Sequence, residues 1–219
     1  MYDINVYIFD TNQFNNLISE DINAILDEIA LLYAQKYRRL SSAGNITGSL
    51  QELAAGLLLS RCLDLHEDEA LRFGQHGKPE LVSGEAAFNL SHSGHFVVLA
   101  VADKAVGDVG VDIESTERVR LSVAKKLFSP AVYEEIVIEN ERDKKQAGVL
   151  FAKHWTACEA RLKLSGAGLS GYDSIKRDYS ESDKDVLHFE LEDSGYVIAL
   201  SVNANIDSCT VCKKIVQYY

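Results

Sequence analysis

The stretch Phe88–Glu114 constrains the fold of this 219-residue chain more than any other part of the sequence. It contains two apolar runs that are rich in β-branched residues, Phe96–Ala102 and Val106–Ile113. A polar segment with one glycine, Ser91–His95, precedes the first run. Because β-branched residues favour strands and glycine favours turns, we expect two strands here, with a polar turn before the first.

The second run closes with two carboxylates, Asp112 and Glu114, which are two residues apart. Side chains at positions i and i+2 of a strand point to the same face of a sheet. Taken alone, such residues are most often ordinary charged groups at the end of a strand. Together on one face, they can also hold a hard cation, which prefers oxygen ligands.

The rest of the chain alternates between strand-like and helix-like patterns. We expect strands over residues 2–9, 86–90, 186–192, 195–203 and 208–217. We expect helices over residues 17–39, 50–65, 120–128, 130–140 and 147–165, and a loop over residues 41–49. Each half of the chain therefore contains strands and at least two helices. This mixture predicts the α+β class, with two lobes and one cleft between them.

The last predicted helix carries a buried stripe with a charged pair beside it. The stripe consists of Phe151, Trp155, Cys158 and Leu162, which are spaced four, three and four residues apart and so share one helix face. Glu159 and Lys163 lie at positions i and i+4 next to it. Taken alone, this pair is typical of a salt bridge on a helix surface.

Composition and charge argue against several classes of protein. The formal net charge of −11 disfavours nucleic acid as a partner, because phosphate binding needs concentrated lysine and arginine. No apolar run approaches the roughly 20 residues of a membrane span, and no basic targeting segment begins the sequence. Four cysteines are few for a chain of this length, so we expect reduced thiols and a cytoplasmic protein.

Four short motifs also bear on function. The sequence contains no G-x-x-x-x-G-K-[ST] phosphate loop and no G-x-S-x-G hydrolase elbow. Gly166–Gly171 matches G-x-G-x-x-G, but it follows a predicted helix, whereas the dinucleotide fingerprint follows a strand. Cys209–Cys212 is a single C-x-x-C, which is half of a zinc site, and we expect a structural role for it.

The remaining polar residues suit a metal-assisted reaction on a diphosphate. They comprise three carboxylates, the histidine His92, the lysine Lys163 and a basic cluster near Lys36. Mg²⁺ binds a few carboxylates together with phosphate oxygens, and it neutralises charge that develops as a phosphate bond breaks. Taken alone, His92 is more typical of a turn, and a basic helix end typically complements the helix dipole.

Four segments resemble the 4′-phosphopantetheinyl transferase superfamily, in its larger, two-lobed, monomeric form. The segments are Gly77–Pro79, Phe88–Ser93, Val109–Glu114 and Trp155–Lys163. The resemblance implies two similar α/β halves related by a pseudo-twofold axis. It implies an N-terminal half over residues 1–105 on the coenzyme A side, and a C-terminal half over residues 106–219 on the Mg²⁺ and catalytic side.

The resemblance also implies a reaction and its partners. In this family, the serine hydroxyl of an apo acyl or peptidyl carrier protein attacks the β-phosphate of coenzyme A. The serine takes the 4′-phosphopantetheine arm, and 3′,5′-ADP leaves. The implied cofactor is Mg²⁺, the co-substrate is coenzyme A, and the partner is a carrier protein. Together with the composition, this predicts a cytoplasmic monomer that binds neither nucleic acid nor membrane.

The family motifs imply roles for individual residues. The implied Mg²⁺ ligands are Asp112, Glu114 and Glu159. The implied catalytic residues are Glu159 as the base for the serine hydroxyl, Lys163 as the group that stabilises diphosphate charge, and His92. The residues implied to contact coenzyme A are Lys36, Arg39, Lys78, Ser91, His92 and Lys163.

Two departures from the family pattern leave other functions open. Cys158 stands where the family usually has a lysine before its glutamate, and we expect it to be a small core residue. Residues 40–60 contain no lysine or arginine, and the place of a frequent family arginine falls near Gly48. A non-catalytic module that binds a carrier or coenzyme A is therefore an alternative, and a nucleotide hydrolase is a weaker one.

Overall fold

The structure is a computed structural model that describes residues 2–74, 76–166, 168, 184–191, 194–203 and 205–218. The strands in this part of the chain are β1 (Tyr2–Asp10), β2 (Leu71–Phe73), β3 (Pro79–Leu81), β4 (Ala86–Ser93), β5 (Phe96–Asp103), β6 (Val109–Ser115), β7 (Val186–Leu191), β8 (Tyr196–Val202) and β9 (Cys209–Val216). The α-helices are α1 (Ser19–Glu28), α2 (Leu31–Ser42), α3 (Ile46–Leu63), α4 (Leu121–Leu127), α5 (Pro130–Arg142) and α6 (Lys144–Ser165). None of these described helices combines the length and the apolar surface that crossing a bilayer demands.

The strands form two main sheets and one small hairpin. The first sheet has the order β4-β5-β1-β9, in which β9 runs parallel to β1 and the other pairs are antiparallel. The second sheet has the order β6-β8-β7 and is antiparallel throughout. Strands β2 and β3 pair only with each other among the described residues. This mixture of sheets and helices confirms the predicted α+β class.

The two main sheets share one buried core, and alternate residues of each strand fill it. The side chains of this core include Ile4, Val6, Ile8, Val98 and Ala100 from the first sheet and Val109, Val111, Ile113, Ile198 and Leu200 from the second. Because successive side chains of a strand point to opposite faces, the residues between these positions face the helices. The core between the sheets therefore joins the two halves of the molecule.

Helices cover the outer face of each sheet. On the first sheet, α3 buries Leu53 and Leu57 in a cluster that also contains Leu99 of β5. On the second sheet, Ala157 of α6 packs in a small buried cluster with Ala199 of β8. Each half therefore has a sheet with helices on one side, as the predicted similarity of the halves requires. The predicted bounds, 1–105 and 106–219, stay a prediction, and the first and last residues lie outside the described part.

Strand β6 and helix α6 approach each other unusually closely at Gly110. A Cβ atom at this position would overlap the carbonyl oxygen of Ala160 and would lie 2.5 Å from the backbone nitrogen of Leu164. Both are backbone atoms of α6, so they cannot move aside as a side chain can. The missing side chain of Gly110 thus sets the distance between the strand that carries Asp112 and the helix that carries Glu159.

The N-terminal helical region differs from the prediction of one helix over residues 17–39. The backbone is extended at Ile29, with ψ of 156°, and this divides the region into α1 and α2. Ile29 is buried, and its side chain lies so close to Gly56 of α3 that a Cβ there would be 2.8 Å from the Ile29 Cδ1 atom. Packing against α3, which periodicity along one segment does not reveal, therefore accounts for the break.

Three further boundaries differ from the prediction. The expected loop over residues 41–49 narrows to residues 43–45, because Asn45 caps α3 by accepting a hydrogen bond from the Gly48 amide at 3.0 Å. Strand β4 runs on to Ser93, through most of the expected polar turn. Strand β6 begins at Val109, because a turn closes where the Val106 amide donates to the Asp103 carbonyl.

The last strand of the chain belongs to the sheet of the first half. Residues of β9 pair in parallel with β1, for example Val211 with Ile4. The chain therefore crosses back after the second sheet is complete. The predicted strands over residues 186–192 and 195–203 correspond to β7 and β8, although residue 192 lies outside the described residues.

We predict that Gly110→Ala destabilises the protein by about 1–3 kcal/mol, because the new methyl group forces α6 away from β6. Urea denaturation followed by circular dichroism measures this change in the free energy of unfolding. Gly74→Ala is the control, since a Cβ there would lie 3.6 Å from its nearest neighbour and should change stability by less than about 1 kcal/mol. Equal stabilities for the two variants would contradict the close approach.

A partly buried histidine also ties α6 to the second sheet. His188 of β7 uses its Nε2 atom to donate to the carbonyl oxygen of Lys153 at 2.9 Å, and the same atom lies 3.3 Å from the Thr156 hydroxyl. Burial lowers the pKa of His188 to about 4, from its ordinary 6.5. The folded protein therefore favours the neutral ring, whereas the unfolded chain accepts a proton more readily.

We predict that acid weakens the fold through His188. Its stabilising contribution is complete above pH 6.5 and is lost as the pH falls towards 4, which amounts to about 2 kcal/mol at pH 5. Between pH 7 and pH 5, His188→Gln should lose about 2 kcal/mol less unfolding free energy than the wild type. The exposed His76 gives the control, and a His76→Gln variant that matched His188→Gln would show that the effect lies elsewhere.

Candidate active site

The candidate site lies where an edge of the first sheet meets an edge of the second. Strands β4 and β6 are the edges, and two buried polar contacts join them. The amide oxygen of Asn89 accepts a hydrogen bond from the backbone N–H of Val111 at 2.9 Å. Two residues further along β4 and one residue further along β6, the Ser91 hydroxyl donates to Asp112 Oδ1 at 2.8 Å. We call this junction of β4 and β6 the seam.

Lys163 of α6 completes a compact polar cluster at the seam. Its ammonium group donates to Asp112 Oδ1 at 2.7 Å and to the Ser91 hydroxyl at 2.7 Å. The Asp112 side chain is only 8% exposed, so its charge has little contact with water. Because an isolated buried carboxylate is costly, the hydroxyl and the ammonium are what make this position tenable. The cluster brings together one residue each from β4, β6 and α6.

Glu114 points to the same face of β6 as Asp112 but has a different cation as its partner. Its Oε2 atom lies 3.1 Å from a guanidinium nitrogen of Arg120. Burial raises the pKa of Glu114, and the Asp112 carboxylate adds to the rise, whereas Arg120 opposes it. The two carboxylates therefore interact unfavourably with each other, as the predicted shared face of the strand requires.

Glu159 is half-buried one helical turn before Lys163. Burial raises the pKa of Glu159, and the carboxylates of Asp112 and Glu114 raise it further, whereas Lys163 and Arg120 lower it. All three predicted carboxylates thus feel one another's charge in surroundings that are poor in water. Electrostatic repulsion of this kind is relieved by a cation that binds between the carboxylates.

The donor chemistry of these carboxylates fits Mg²⁺, but the side chains are not gathered for binding. Within the described residues, no group of three or more histidine, cysteine, aspartate or glutamate side chains is arranged to hold a metal ion. Asp112 is paired with Lys163, and Glu114 is paired with Arg120. Cation binding would therefore require at least one of these carboxylates to leave its present partner.

A cleft of about 250 Å³ opens beside the polar cluster and is lined by both halves of the molecule. The first half contributes Gly77, Lys78 and Asn89, and α6 contributes Glu159 and Lys163. A phosphate group in this cleft would lie among one carboxylate and two ammonium groups. The division of the chain into two lobes with one cleft between them stays a prediction.

Lys78 serves a different purpose in the structure from its predicted contact with coenzyme A. Its ammonium group donates to the carbonyl oxygens of Val109 at 3.3 Å and Leu164 at 3.1 Å, and it lies 3.5 Å from an Asp108 carboxylate oxygen. An ammonium group has three donors, so these acceptors can use all of them. In this conformation Lys78 fastens the β2–β3 hairpin to β6 and α6, and contact with a phosphate stays a prediction.

His92 lies on β4 next to Ser91 and is exposed. Although the residue is open to solvent, partial desolvation of its ring lowers the pKa of His92, and the Lys163 ammonium adds to this effect, whereas Glu52 and Asp112 oppose it. Its ring is therefore close enough to sense the cluster charges and is favoured in the neutral form. A neutral imidazole can donate to a phosphate from one nitrogen.

The turn after β4 is held from two sides. The carbonyl oxygen of Gly94 accepts from the Gln51 side chain of α3 at 2.8 Å. The carbonyl oxygen of His95 accepts from the backbone N–H of Thr11 at 2.8 Å and from its hydroxyl at 3.0 Å. Gly94 has φ of +56°, and a Cβ there would overlap the Tyr196 hydroxyl. These contacts fix the end of β4 and with it the positions of Ser91 and His92.

The predicted basic cluster lies on α2. Lys36 pairs with Glu52 of α3 at 3.4 Å and lies over the ring of Tyr33, whereas Arg39 is exposed. Glu52 also influences the pKa of His92, which places the cluster on the same side of the molecule as the end of β4. Binding of a phosphate by Lys36 and Arg39 stays a prediction.

The structure shows the surroundings of Cys158 and Gly48, the two positions that depart from the family pattern. Cys158 is 2% exposed and packs in a core cluster with Phe128 and Ile136, as expected of a small apolar residue. Gly48 lies in the first turn of α3, where its amide donates to the Asn45 cap. Glycine has no side chain, so position 48 cannot contact a phosphate as an arginine could.

Two residues of the site escaped sequence reasoning, Arg120 and Asn89. Arg120 directly precedes α4, where the helix dipole disfavours a positive charge unless a carboxylate lies nearby. The position of Arg120 in the sequence therefore indicates that a carboxylate lies nearby. Asn89 is a buried amide within a strand, which requires a hydrogen-bond partner, but the sequence does not say that the partner is Val111.

Comparison with known proteins finds similarity to one family over the part of the chain that carries this site. A family model described as the 4′-phosphopantetheinyl transferase superfamily matches residues 108–206, which include the three carboxylates and Lys163. A putative 4′-phosphopantetheinyl transferase of Synechocystis sp. is 32% identical over 155 residues, which cover 68% of this chain and 60% of the relative. The 4′-phosphopantetheinyl transferase Sfp of Bacillus subtilis is 33% identical over 116 residues, which cover 52% of this chain and 49% of the relative. The 4′-phosphopantetheinyl transferase AcpT of Salmonella typhi is 38% identical over 118 residues, which cover 52% of this chain and 57% of the relative.

The chain belongs to the 4′-phosphopantetheinyl transferase superfamily, and its similarity to Sfp supports the Sfp-like type. This confirms the predicted resemblance to the family, and the matched range contains two of the four segments, Val109–Glu114 and Trp155–Lys163. The chain spans about half to three-fifths of the length of these three relatives.

The G-x-G-x-x-G match at Gly166–Gly171 lies largely outside the described part of the chain. Residues 167 and 169–171 are not described, whereas Gly166 ends α6 in a left-handed conformation.

We predict that Ser91→Ala costs about 1–2 kcal/mol of unfolding free energy, because it removes a buried hydroxyl that bonds two charged groups. Ser93→Ala is the matched control, since Ser93 lies on the same strand and face but outside the cluster. Urea denaturation of both variants measures the difference. Similar losses in the two variants would argue against a structural role for the cluster.

Proposed function

We propose that this protein transfers 4′-phosphopantetheine from coenzyme A to a serine of an apo acyl or peptidyl carrier protein. The observation that carries the proposal is the seam, where Asp112, Ser91 and Lys163 meet beside Glu159 at a cleft. The matches to 4′-phosphopantetheinyl transferases support it. The enzyme, its substrates and its partners are all part of the proposal, since the chain spans only part of those relatives.

The reaction exchanges one phosphorus–oxygen bond for another. The serine oxygen of the carrier forms a bond to the β-phosphorus of coenzyme A, and the bond from that phosphorus to the bridging oxygen breaks. The leaving group is 3′,5′-ADP, and the serine proton passes to a base. The transition state spreads negative charge over phosphate oxygens, so the site must supply positive charge and a proton acceptor.

Glu159 is the proposed proton acceptor. Its carboxylate lines the cleft, and burial together with Asp112 and Glu114 raises its pKa above that of an exposed glutamate. A raised pKa makes a carboxylate a stronger base, which favours removal of a proton from a hydroxyl. The contact with the serine is either direct or through one water molecule.

Lys163 supplies positive charge from the protein itself. Its ammonium group also lines the cleft and is bonded to Asp112 and Ser91, which fix its position. An ammonium held in place next to a phosphate stabilises developing charge without reorganising during the reaction. Asp112, Glu114 and Glu159 are the proposed Mg²⁺ ligands, and the ion would neutralise the diphosphate.

The proposed contacts with coenzyme A come from three parts of the first half. Ser91, His92 and Lys78 border the seam, whereas Lys36 and Arg39 lie on α2 for the 3′-phosphate. Carrier proteins commonly expose acidic helices, yet this chain has a net charge of −11. We therefore expect carrier recognition to use apolar contacts and a local basic rim rather than overall charge. The proposed form is a cytoplasmic monomer that binds neither nucleic acid nor membrane.

We predict that Asp112→Asn and Glu159→Gln each reduce arm transfer by about 100-fold or more, because each removes a proposed ligand or base. The assay incubates the protein with coenzyme A, Mg²⁺ and a panel of apo carriers, and it records the added mass of the arm by mass spectrometry. Glu117→Gln is the control, since Glu117 is an exposed carboxylate three residues after Glu114. Near-normal transfer by Asp112→Asn or Glu159→Gln would refute the assigned roles.

The same assay separates this function from its alternatives. Carrier binding by calorimetry, with no mass gain on any carrier, would favour a non-catalytic binding module. Release of 3′,5′-ADP in the absence of a carrier would favour a nucleotide hydrolase. Chelation of Mg²⁺ by EDTA should abolish transfer, and excess Mg²⁺ should restore it.

A further inference from the structure

We propose that Arg120 is the counter-ion of Glu114 in the metal-free protein, and that a divalent cation must displace Arg120 in order to bind at Glu114. This inference rests on the proposed function, because it concerns the same carboxylates. It assigns Arg120 as a positioning residue that sets the affinity of the site for the cation. The family comparison gives a residue range and assigns no role to Arg120.

The contact between Arg120 and Glu114 is an ion pair without good hydrogen-bond geometry. The two groups approach to 3.1 Å, yet the same guanidinium nitrogen is shielded from solvent and makes no hydrogen bond within the described structure. A carboxylate held mainly by charge, and not by a directed pair of hydrogen bonds, exchanges its partner more easily. Apart from that nitrogen, the two side chains are partly exposed, at 39% for Arg120 and 26% for Glu114, which weakens the pair further.

The guanidinium group has a second support that does not involve Glu114. It lies 4.9 Å from the centre of the Trp155 ring and 5.4 Å from that of Phe151. These two rings are stacked nearly parallel on α6, one turn apart. Because cation–π contacts hold a guanidinium by its face, Arg120 can give up Glu114 and stay on the rings. The structure thus provides a place for the cation that leaves.

The backbone around Arg120 is fixed independently of its side chain. Its carbonyl oxygen accepts hydrogen bonds from the amides of Val123 and Ala124, both at 2.9 Å, which begin helix α4. Its own side chain makes no capping bond to the helix. Substitution of Arg120 should therefore leave α4 in place and change only the charge near Glu114.

Each carboxylate on this face of β6 thus has one cation from the protein. Lys163 neutralises Asp112, and Arg120 neutralises Glu114. This arrangement accounts for the lack of a ready metal-binding group among the described residues. Binding of Mg²⁺ at Glu114 then includes the separation of an ion pair, which lowers the apparent affinity.

The test measures Mg²⁺ binding to the full chain without coenzyme A or carrier, so it does not depend on catalysis. Calorimetric titration with MgCl₂ gives the dissociation constant. Trp155 is the chain's single tryptophan, so its fluorescence reports on the guanidinium that covers it. We compare the wild type with Arg120→Gln, Arg120→Lys and Arg118→Gln.

We expect Arg120→Gln to bind Mg²⁺ about two- to five-fold more tightly than the wild type, because a competing ion pair is gone. Arg118→Gln is the matched control, since it removes the same charge from an exposed position two residues away. It should bind as the wild type does. Mg²⁺ should change the Trp155 fluorescence of the wild type but leave that of Arg120→Gln nearly constant, with Arg120→Lys between them.

The outcomes separate this inference from the proposed metal site. If Mg²⁺ binds and Asp112→Asn abolishes binding, but Arg120→Gln matches Arg118→Gln, the metal site stands and the counter-ion role is overturned. Weaker binding by Arg120→Gln overturns it as well, because Arg120 would then orient Glu114 for the cation. If the wild type binds no Mg²⁺, or Asp112→Asn binds it equally well, the metal site fails and the counter-ion role fails with it.

Discussion

The buried hydrogen-bonded cluster of Asp112, Ser91 and Lys163 is the interaction on which the rest of the site depends. A carboxylate that is 8% exposed is stable only where donors replace the water it has lost. Here one donor comes from the first sheet and the other from α6. The position of Asp112 therefore requires both halves of the molecule. In return, the charge of Asp112 fixes Lys163 at the edge of the cleft.

The cluster forms because three elements approach closely at the seam. The absence of a side chain at Gly110 lets the backbone of α6 lie against β6. Lys78 bonds to carbonyl oxygens of both β6 and α6, which holds the hairpin of the first half over their ends. Asn89 satisfies the free N–H of β6 at its outer edge. Apolar packing between the sheets then helps to hold the charged groups in these positions.

The sequence was enough to predict the features that depend on local periodicity. The alternation of β6 placed Asp112 and Glu114 on one face, and the helical stripe of α6 explained Cys158 as a core residue. The break at Ile29, the pairing of β9 with β1 and the partners of Lys78 could not be predicted. Each depends on contacts between residues that are distant in the chain, such as Ile29 with Gly56 or Lys78 with Leu164. The pattern of residues within one segment does not reveal those contacts.

Charge balance explains why a site that is proposed to bind a cation can also be stable without one. Clustered carboxylates in a half-buried cleft repel one another. Burial raises the pKa values of Glu114 and Glu159, and repulsion by neighbouring carboxylates adds to the rise. Positive side chains within reach, Lys163 and Arg120, reduce it in the metal-free protein. The same cations repel a divalent ion. A stronger ion pair therefore raises the stability of the metal-free protein and lowers its affinity for metal. A pair that is strong and buried, as at Asp112, favours stability. A pair that is weaker and partly exposed, as at Glu114, leaves one ligand free to exchange.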